Sequence, residues 1–450
     1  MRSSNIKWWI VWLLLSLGVA AYYGYALISE DKTALLPGTT SHGHYQIELA
    51  CGSCHGEAFA GGEALQTACI NCHGDQMKAA RDSHPRSKFT DPRNADRVAL
   101  LDARYCITCH REHKPEVTDA MGVTLPNDLC FICHKDIAQE RASHNDISFD
   151  SCASAGCHNY HDNQALYEAF LVKHGNEPAH LTPQRVPERN LHQWNLAVAS
   201  SPVTALAAGD ADAPVNRQLA ADEFQHWVDS GHATAGVNCS ACHQQENKNW
   251  IDKPGVKICE SCHKQEVSGF TAGKHGMRLA QGMSPMVPAM ARLPMKVKVA
   301  KQPLDCNSCH GAHQGGVKEA VVDACMGCHD DEHSRHYLDS PHAQLWQQEQ
   351  AGLIAVGSGV SCATCHMPRA EVRQLGERHV AIQHNQSLNL RPNEKMVRSV
   401  CMHCHGYQFA INALADGALI KNNFSSSPTV EVKSVQMALA RDEKRGTRSK

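Results

Sequence analysis

CGSCHGEAFAGGEALQTACINCH, residues 51–73, begins and ends with one five-residue pattern. Cys-x-x-Cys-His occurs at Cys51–His55 and again at Cys69–His73, thirteen residues apart. Further copies start at Cys106, Cys130, Cys239, Cys259, Cys306, Cys325, Cys362 and Cys401, making ten in all. They use 20 of the chain's 22 cysteines. The remaining two, Cys152 and Cys157 in SCASAGCHNYH (151–161), are separated by four residues instead of two, yet the second is again followed by a histidine, His158. No cysteine lies outside such a motif.

This layout is what covalent attachment of c-type haem requires. Two thiols add to the two vinyl groups on one edge of the porphyrin, and the next residue is carried beneath the ring, where a histidine ligates iron. The attachment sulfurs are thus Cys51 and Cys54, Cys69 and Cys72, Cys106 and Cys109, Cys130 and Cys133, Cys239 and Cys242, Cys259 and Cys262, Cys306 and Cys309, Cys325 and Cys328, Cys362 and Cys365, and Cys401 and Cys404. Cys152 and Cys157 add an eleventh site on a bulged loop. The proximal ligands are His55, His73, His110, His134, His158, His243, His263, His310, His329, His366 and His405. Zinc sites also use Cys-x-x-Cys pairs, but a histidine after every second cysteine is not a zinc-ribbon pattern. A disulfide framework would not place histidines so regularly. The expected cofactor load is eleven covalently bound haem c.

Composition agrees. Only 6% of residues are aromatic, and five motifs crowd into residues 51–158, leaving little chain from which to build an apolar core. The expected fold is mostly α and irregular with little β, a haem-packed multihaem cytochrome c whose interior is porphyrin. Without haem such a chain stays largely unfolded.

Residues 8–28, WWIVWLLLSLGVAAYYGYALI, contain no charge, follow Arg2 and Lys7, and precede Glu30 and Asp31. That length spans a bilayer core of about 30 Å. The positive flank stays in the cytoplasm and aromatic residues mark both interfaces. The expectation is one retained N-terminal transmembrane helix; the alternative is a cleaved signal peptide with GVA (18–20) at the cut. Either way the haem modules face outward, and the expected location is the bacterial inner membrane, with those modules in the periplasm. The formal charge of −3 omits two propionates per haem. The acidic holoprotein disfavours nucleic acid as a partner and leaves the membrane and redox proteins or quinone.

Cysteine-free residues 159–238 divide the chain. The expected organisation is an anchor at 1–30, a five-haem module at 40–165, a helical then Pro- and Ala-rich linker at 166–225, a six-haem module at 226–424 and a polar tail at 425–450. The motifs come in pairs with short spacers, an internal repeat.

Of 30 histidines, 11 sit in the motifs and 19 remain. A second histidine on each iron would use them. In the first module the candidates are His44 (with His42 spare), His84, His113, His144 and His161. In the second they are His174, His232, His275, His313, His342 and His384. His113, His161 and His313 stand three residues after an attachment histidine and cannot pass the porphyrin plane, so each must reach a different haem. A surplus histidine could instead donate protons at a substrate site. The five methionines of HGMRLAQGMSPMVPAMARLPM (275–295) suit an apolar loop on porphyrin faces.

The paired motifs, the CHxxH clusters and the four-residue spacer over residues 42–165 resemble the class III, cytochrome c3-like, multihaem cytochromes. CATCHMP (362–368) and QHNQSLNLRP…VCMHCHG (383–406) make residues 226–410 resemble the superfamily of hydroxylamine oxidoreductases, pentahaem nitrite reductases and tetrahaem quinol dehydrogenases. No motif ends in lysine, unlike the active haem of most pentahaem nitrite reductases. The resemblances imply an electron-transfer protein between a membrane donor and acceptors outside the cytoplasm. The alternative they leave is a haem oxidoreductase of a small nitrogen or sulfur compound at an open iron in the second module.

Overall fold

The computed structural model describes residues 2–29, 31–56, 61–82, 84–119, 122–126, 128–140, 144, 160–161, 168–182, 186–187, 203–217, 220–244, 249–311, 313, 317–374, 377–390 and 395–448. The eleventh motif, Cys152, Cys157 and His158, lies outside them. The fold is mostly helical in short pieces, and the described strands, Arg369–Gln374 and Glu377–Ile382, form one antiparallel hairpin with Arg369 opposite Ile382. The first helix, Arg2–Ile28, contains an apolar run, Ile6–Ile28, of 23 residues. At 1.5 Å per residue it is about 35 Å long, enough to cross a bilayer, and its large apolar side chains are exposed around its circumference.

Each complete motif whose backbone is described is one helical turn. The histidine N–H donates to the carbonyl of the first cysteine in His55→Cys51 (2.8 Å), His110→Cys106 (2.9 Å), His263→Cys259 (2.8 Å), His310→Cys306 (2.9 Å), His329→Cys325 (2.9 Å) and His405→Cys401 (2.8 Å). Positions i, i+3 and i+4 of such a turn share one face, which brings two thiols and an imidazole together. Polar caps start several turns: Asp305 accepts from Ser308 N–H, and Ser361 accepts from Thr364 N–H.

The chain forms two compact units, residues 1–78 with 84–133, and 79–83 with 134–450. In the first, Ala26 of the N-terminal helix is the one apolar side chain that is buried among the described residues; Thr40, Gln46 and Gln66 are the buried polar ones. Among its described residues, side-chain burial in this unit is slight, which fits the expectation that haem takes much of the interior.

The second unit has a side-chain core at its C-terminal end. Met396, Val397, Val400, Tyr407, Ile411, Leu414, Val432 and Val435 pack with Leu171. The 425–450 stretch, read from its polarity as a tail, contains the helix Ser434–Arg448, whose Val435 and Ala438 enter this core. Both ends of the expected linker also join this unit. Leu171 is buried, Tyr407 N–H donates to Glu177, and Leu181 N–H donates to the Cys404 carbonyl. At the other end Leu206 N–H donates to the Ala233 carbonyl. These long-range bonds, invisible in composition, give residues 168–181 and 203–217 a fixed place.

Candidate haem sites

Among the described residues eight attachment histidines face a second histidine across a metal-sized gap; His405 has a further neighbour in His180, whose ring centroid at 5.0 Å is too close for a metal between the two. In the first unit the ring centroids of His44 and His73 are 5.8 Å apart, and those of His55 and His113 are 6.4 Å apart. In the second the pairs are His232–His263 (6.0 Å), His243–His313 (6.1 Å), His275–His329 (6.2 Å), His310–His384 (6.3 Å), His333–His366 (6.1 Å) and His342–His405 (6.3 Å). An imidazole nitrogen sits about 2 Å from a bound metal and about 1.1 Å from its own ring centre, so two rings on opposite faces of one metal have centroids about 6.2 Å apart. The residues therefore fit a six-coordinate haem iron between each pair.

The ring nitrogens are prepared for that role. Nδ1 donates to a backbone carbonyl in His113→Gly38 (2.7 Å), His243→Ile251 (2.7 Å), His333→Ile420 (2.5 Å), His384→Ile382 (3.0 Å) and His405→Ala179 (3.0 Å). Each bond selects the tautomer that leaves the Nε2 lone pair for metal. Burial pushes His275, His342 and His366 down to about 4, keeping them neutral. Burial likewise lowers His232, His310, His313 and His405. His113 holds a left-handed backbone, φ 60°, a conformation that costs a non-glycine residue about 1–2 kcal/mol. Its partner Gly38 sits close, since a Cβ there would stand 3.0 Å from the His113 carbonyl oxygen and press on it.

His113 and His313 thus lie opposite His55 and His243, each the histidine of a motif other than the adjacent one. His84 stacks on Phe89, and His161 lies beside Tyr160 with Nδ1 3.4 Å from Asp82. His144 is partly buried. His110 Nδ1 donates to the Gly122 carbonyl at 3.0 Å, and His134 is exposed at the end of Phe131–His134. His174 is placed against Phe170 and donates to Glu177 at 2.6 Å. His333, absent from the sequence-based candidates, is the residue opposite His366. The signal was there in CHDDEH (328–333), which sets a histidine four residues beyond His329, one helical turn on.

The thiols show which sites adjoin. The free thiols of Cys69 and Cys106, Cys259 and Cys306, and Cys325 and Cys362 are close enough to interact. Cys54 is within electrostatic reach of Cys72, Cys109 of Cys130, Cys242 of Cys259, Cys309 of Cys325, and Cys365 of Cys401. Because these sulfurs are the edges at which porphyrins attach, each unit holds its sites in a row that follows chain order. Burial pushes the Cys365 and Cys401 thiols up to about 12.

The family model of cytochrome c3 matches the chain twice, over residues 43–135 and 231–330. The chain is a multihaem c-type cytochrome. In this cytochrome the two matched stretches correspond motif by motif in chain order. His44 and His232 each precede the first cysteine by seven residues, and His113 and His313 each follow the third motif by three. Both stretches repeat the same ring pairs, His44–His73 with His232–His263 and His55–His113 with His243–His313, and the same thiol contact between second and third motifs. Over 231–330 the match is again to cytochrome c3, where the motifs further on had suggested the hydroxylamine oxidoreductase superfamily. No curated protein and no solved structure matches the chain.

Proposed function

We propose that this cytochrome is an undecahaem electron conduit, anchored in the bacterial inner membrane by Ile6–Ile28, with its haem units in the periplasm. Electrons enter from quinone or a membrane complex, pass along the chain-ordered row within each unit, and leave to a redox protein outside the cytoplasm. Haem iron, cycling between ferric and ferrous, supplies the one-electron chemistry. The chain's own residues bind, orient and tune it. The cysteines fix one edge of each porphyrin. The paired histidines would hold the iron between them, and the carbonyls behind them fix ring orientation.

One observation carries this reading over catalysis. All six attachment histidines from His243 to His405 have a second histidine 6.0–6.3 Å away. An iron held between two such histidines would have nowhere to bind a small substrate and would be suited to outer-sphere transfer. In this reading His333 is the sixth ligand opposite His366. The test is the ferric electronic and paramagnetic resonance spectrum of the purified holoprotein. The expected result is low-spin iron throughout. A high-spin haem that binds nitrite or hydroxylamine would favour the oxidoreductase instead.

A further inference from the structure

We propose that Glu112 is a positioning residue that sets the low end of the redox range in the first unit: as the carboxylate partner of His44 it strengthens that imidazole as an iron ligand and lowers the reduction potential of the haem attached at Cys69 and Cys72. The inference rests on the reading that His44 and His73 share one iron.

The geometry is specific. His44 Nδ1 donates to Glu112 Oε1 at 2.6 Å. The carboxylate is itself held by Ser41, whose N–H donates to Oε2 at 2.5 Å and whose hydroxyl donates to Oε1 at 2.8 Å. Three donors converge on one partly buried anion, 29% exposed. Where the other histidines show a backbone bond at Nδ1, as at His113, His243, His333 and His405, the acceptor is a neutral carbonyl. A full negative charge draws the Nδ1 proton further from the ring, makes Nε2 more basic, and adds negative potential near the iron; each effect favours ferric over ferrous. Asp331 stands beside an attachment histidine, but its 3.6 Å contact with His329 is much longer than the 2.6 Å bond between His44 and Glu112.

The second matched stretch provides the contrast. There the turn is CHGAH, with Ala312 where CHREH has Glu112. The corresponding His232–His263 site is therefore built without this carboxylate from that turn. In the first unit a single turn acts on three sites: His110 belongs to the third motif, Glu112 braces the ligand of the second, and His113 faces the first. The two stretches share one frame and differ in potential, with electrons settling last on the Cys69 haem of the first.

The experiment is a spectropotentiometric titration of the full-length holoprotein, wild type beside Glu112→Gln, Glu112→Asp and His44→Ala, with haem content checked by mass. Gln keeps the shape and a hydrogen-bonding oxygen while removing the charge. For one haem its reduced-to-oxidised ratio at fixed potential should rise about tenfold, an upward shift of about 59 mV for a one-electron couple. All haems should remain attached and low-spin. Asp should give a smaller shift in the same direction. Unchanged midpoints in Glu112→Gln would overturn the inference, as would loss of haem from both Glu112 variants, which would make the residue merely structural. His44→Ala separates the two layers. A new high-spin signal there supports the shared-iron reading whatever Glu112 does; its absence overturns that reading itself.

Discussion

Replacing His333 by alanine is the sharpest test of how the second unit holds its irons. The ring stands 6.1 Å from His366, with Nδ1 bonded to the Ile420 carbonyl and Nε2 3.3 Å from Asn423 Nδ2, so in the proposed reading Nε2 would be the nitrogen that turns to iron. His336 shares the helix Glu332–His336, but its Nδ1 bonds the Glu332 carbonyl of its own turn at 2.9 Å and its side chain is exposed. His333→Ala should leave the attachment count unchanged, because thioether bonds need only the motif. It should convert one haem in eleven from low-spin to high-spin, a fraction set by the motif count. Excess imidazole should enter the vacated ring site and restore the low-spin spectrum. His336→Ala should look like wild type. The assay is the ferric resonance spectrum integrated against total haem. If His333→Ala stays wholly low-spin, or His336→Ala gives the same signal, the use of ring separation to assign ligands is refuted.

Three more outcomes are expected. Mass spectrometry of the mature protein should show eleven covalent haems; ten, with thiols or a disulfide at Cys152 and Cys157, would remove the bulged site. Ile411→Ala, at a position 1% exposed in the C-terminal core, should cost about 2–5 kcal/mol in denaturant unfolding of the holoprotein, and a change below about 1 kcal/mol would mean that haem contacts rather than this core dominate the stability of that end. N-terminal sequencing of membrane-extracted protein should find the Ile6–Ile28 helix still attached; a chain starting near Ala21 would identify a cleaved signal.

Covalent chemistry is local, and so it was legible in the sequence. Attachment needs two thiols and an imidazole on one helical turn, a five-residue property, and Cys51–His55 announces it without any tertiary information. The scarcity of strand, the short helices and the long apolar run at 8–28 follow from the same kind of local reading. The second axial position is different. A histidine for it must come from another segment, and which one comes near depends on packing between elements far apart in the chain, as with the ring pairs His310–His384 and His342–His405. A histidine ledger can show that enough imidazoles exist, but it cannot separate His174, which the fold turns toward Glu177, from His333, which it sets opposite His366. The polar 425–450 stretch was equally opaque, because its burial rests on Val435 and Ala438 meeting Leu171 and Tyr407, partners contributed by distant segments. Sequence thus determined where haem is attached. Tertiary structure decided which imidazoles face one another and which sulfurs adjoin, because both are distances between segments that only the folded chain brings together.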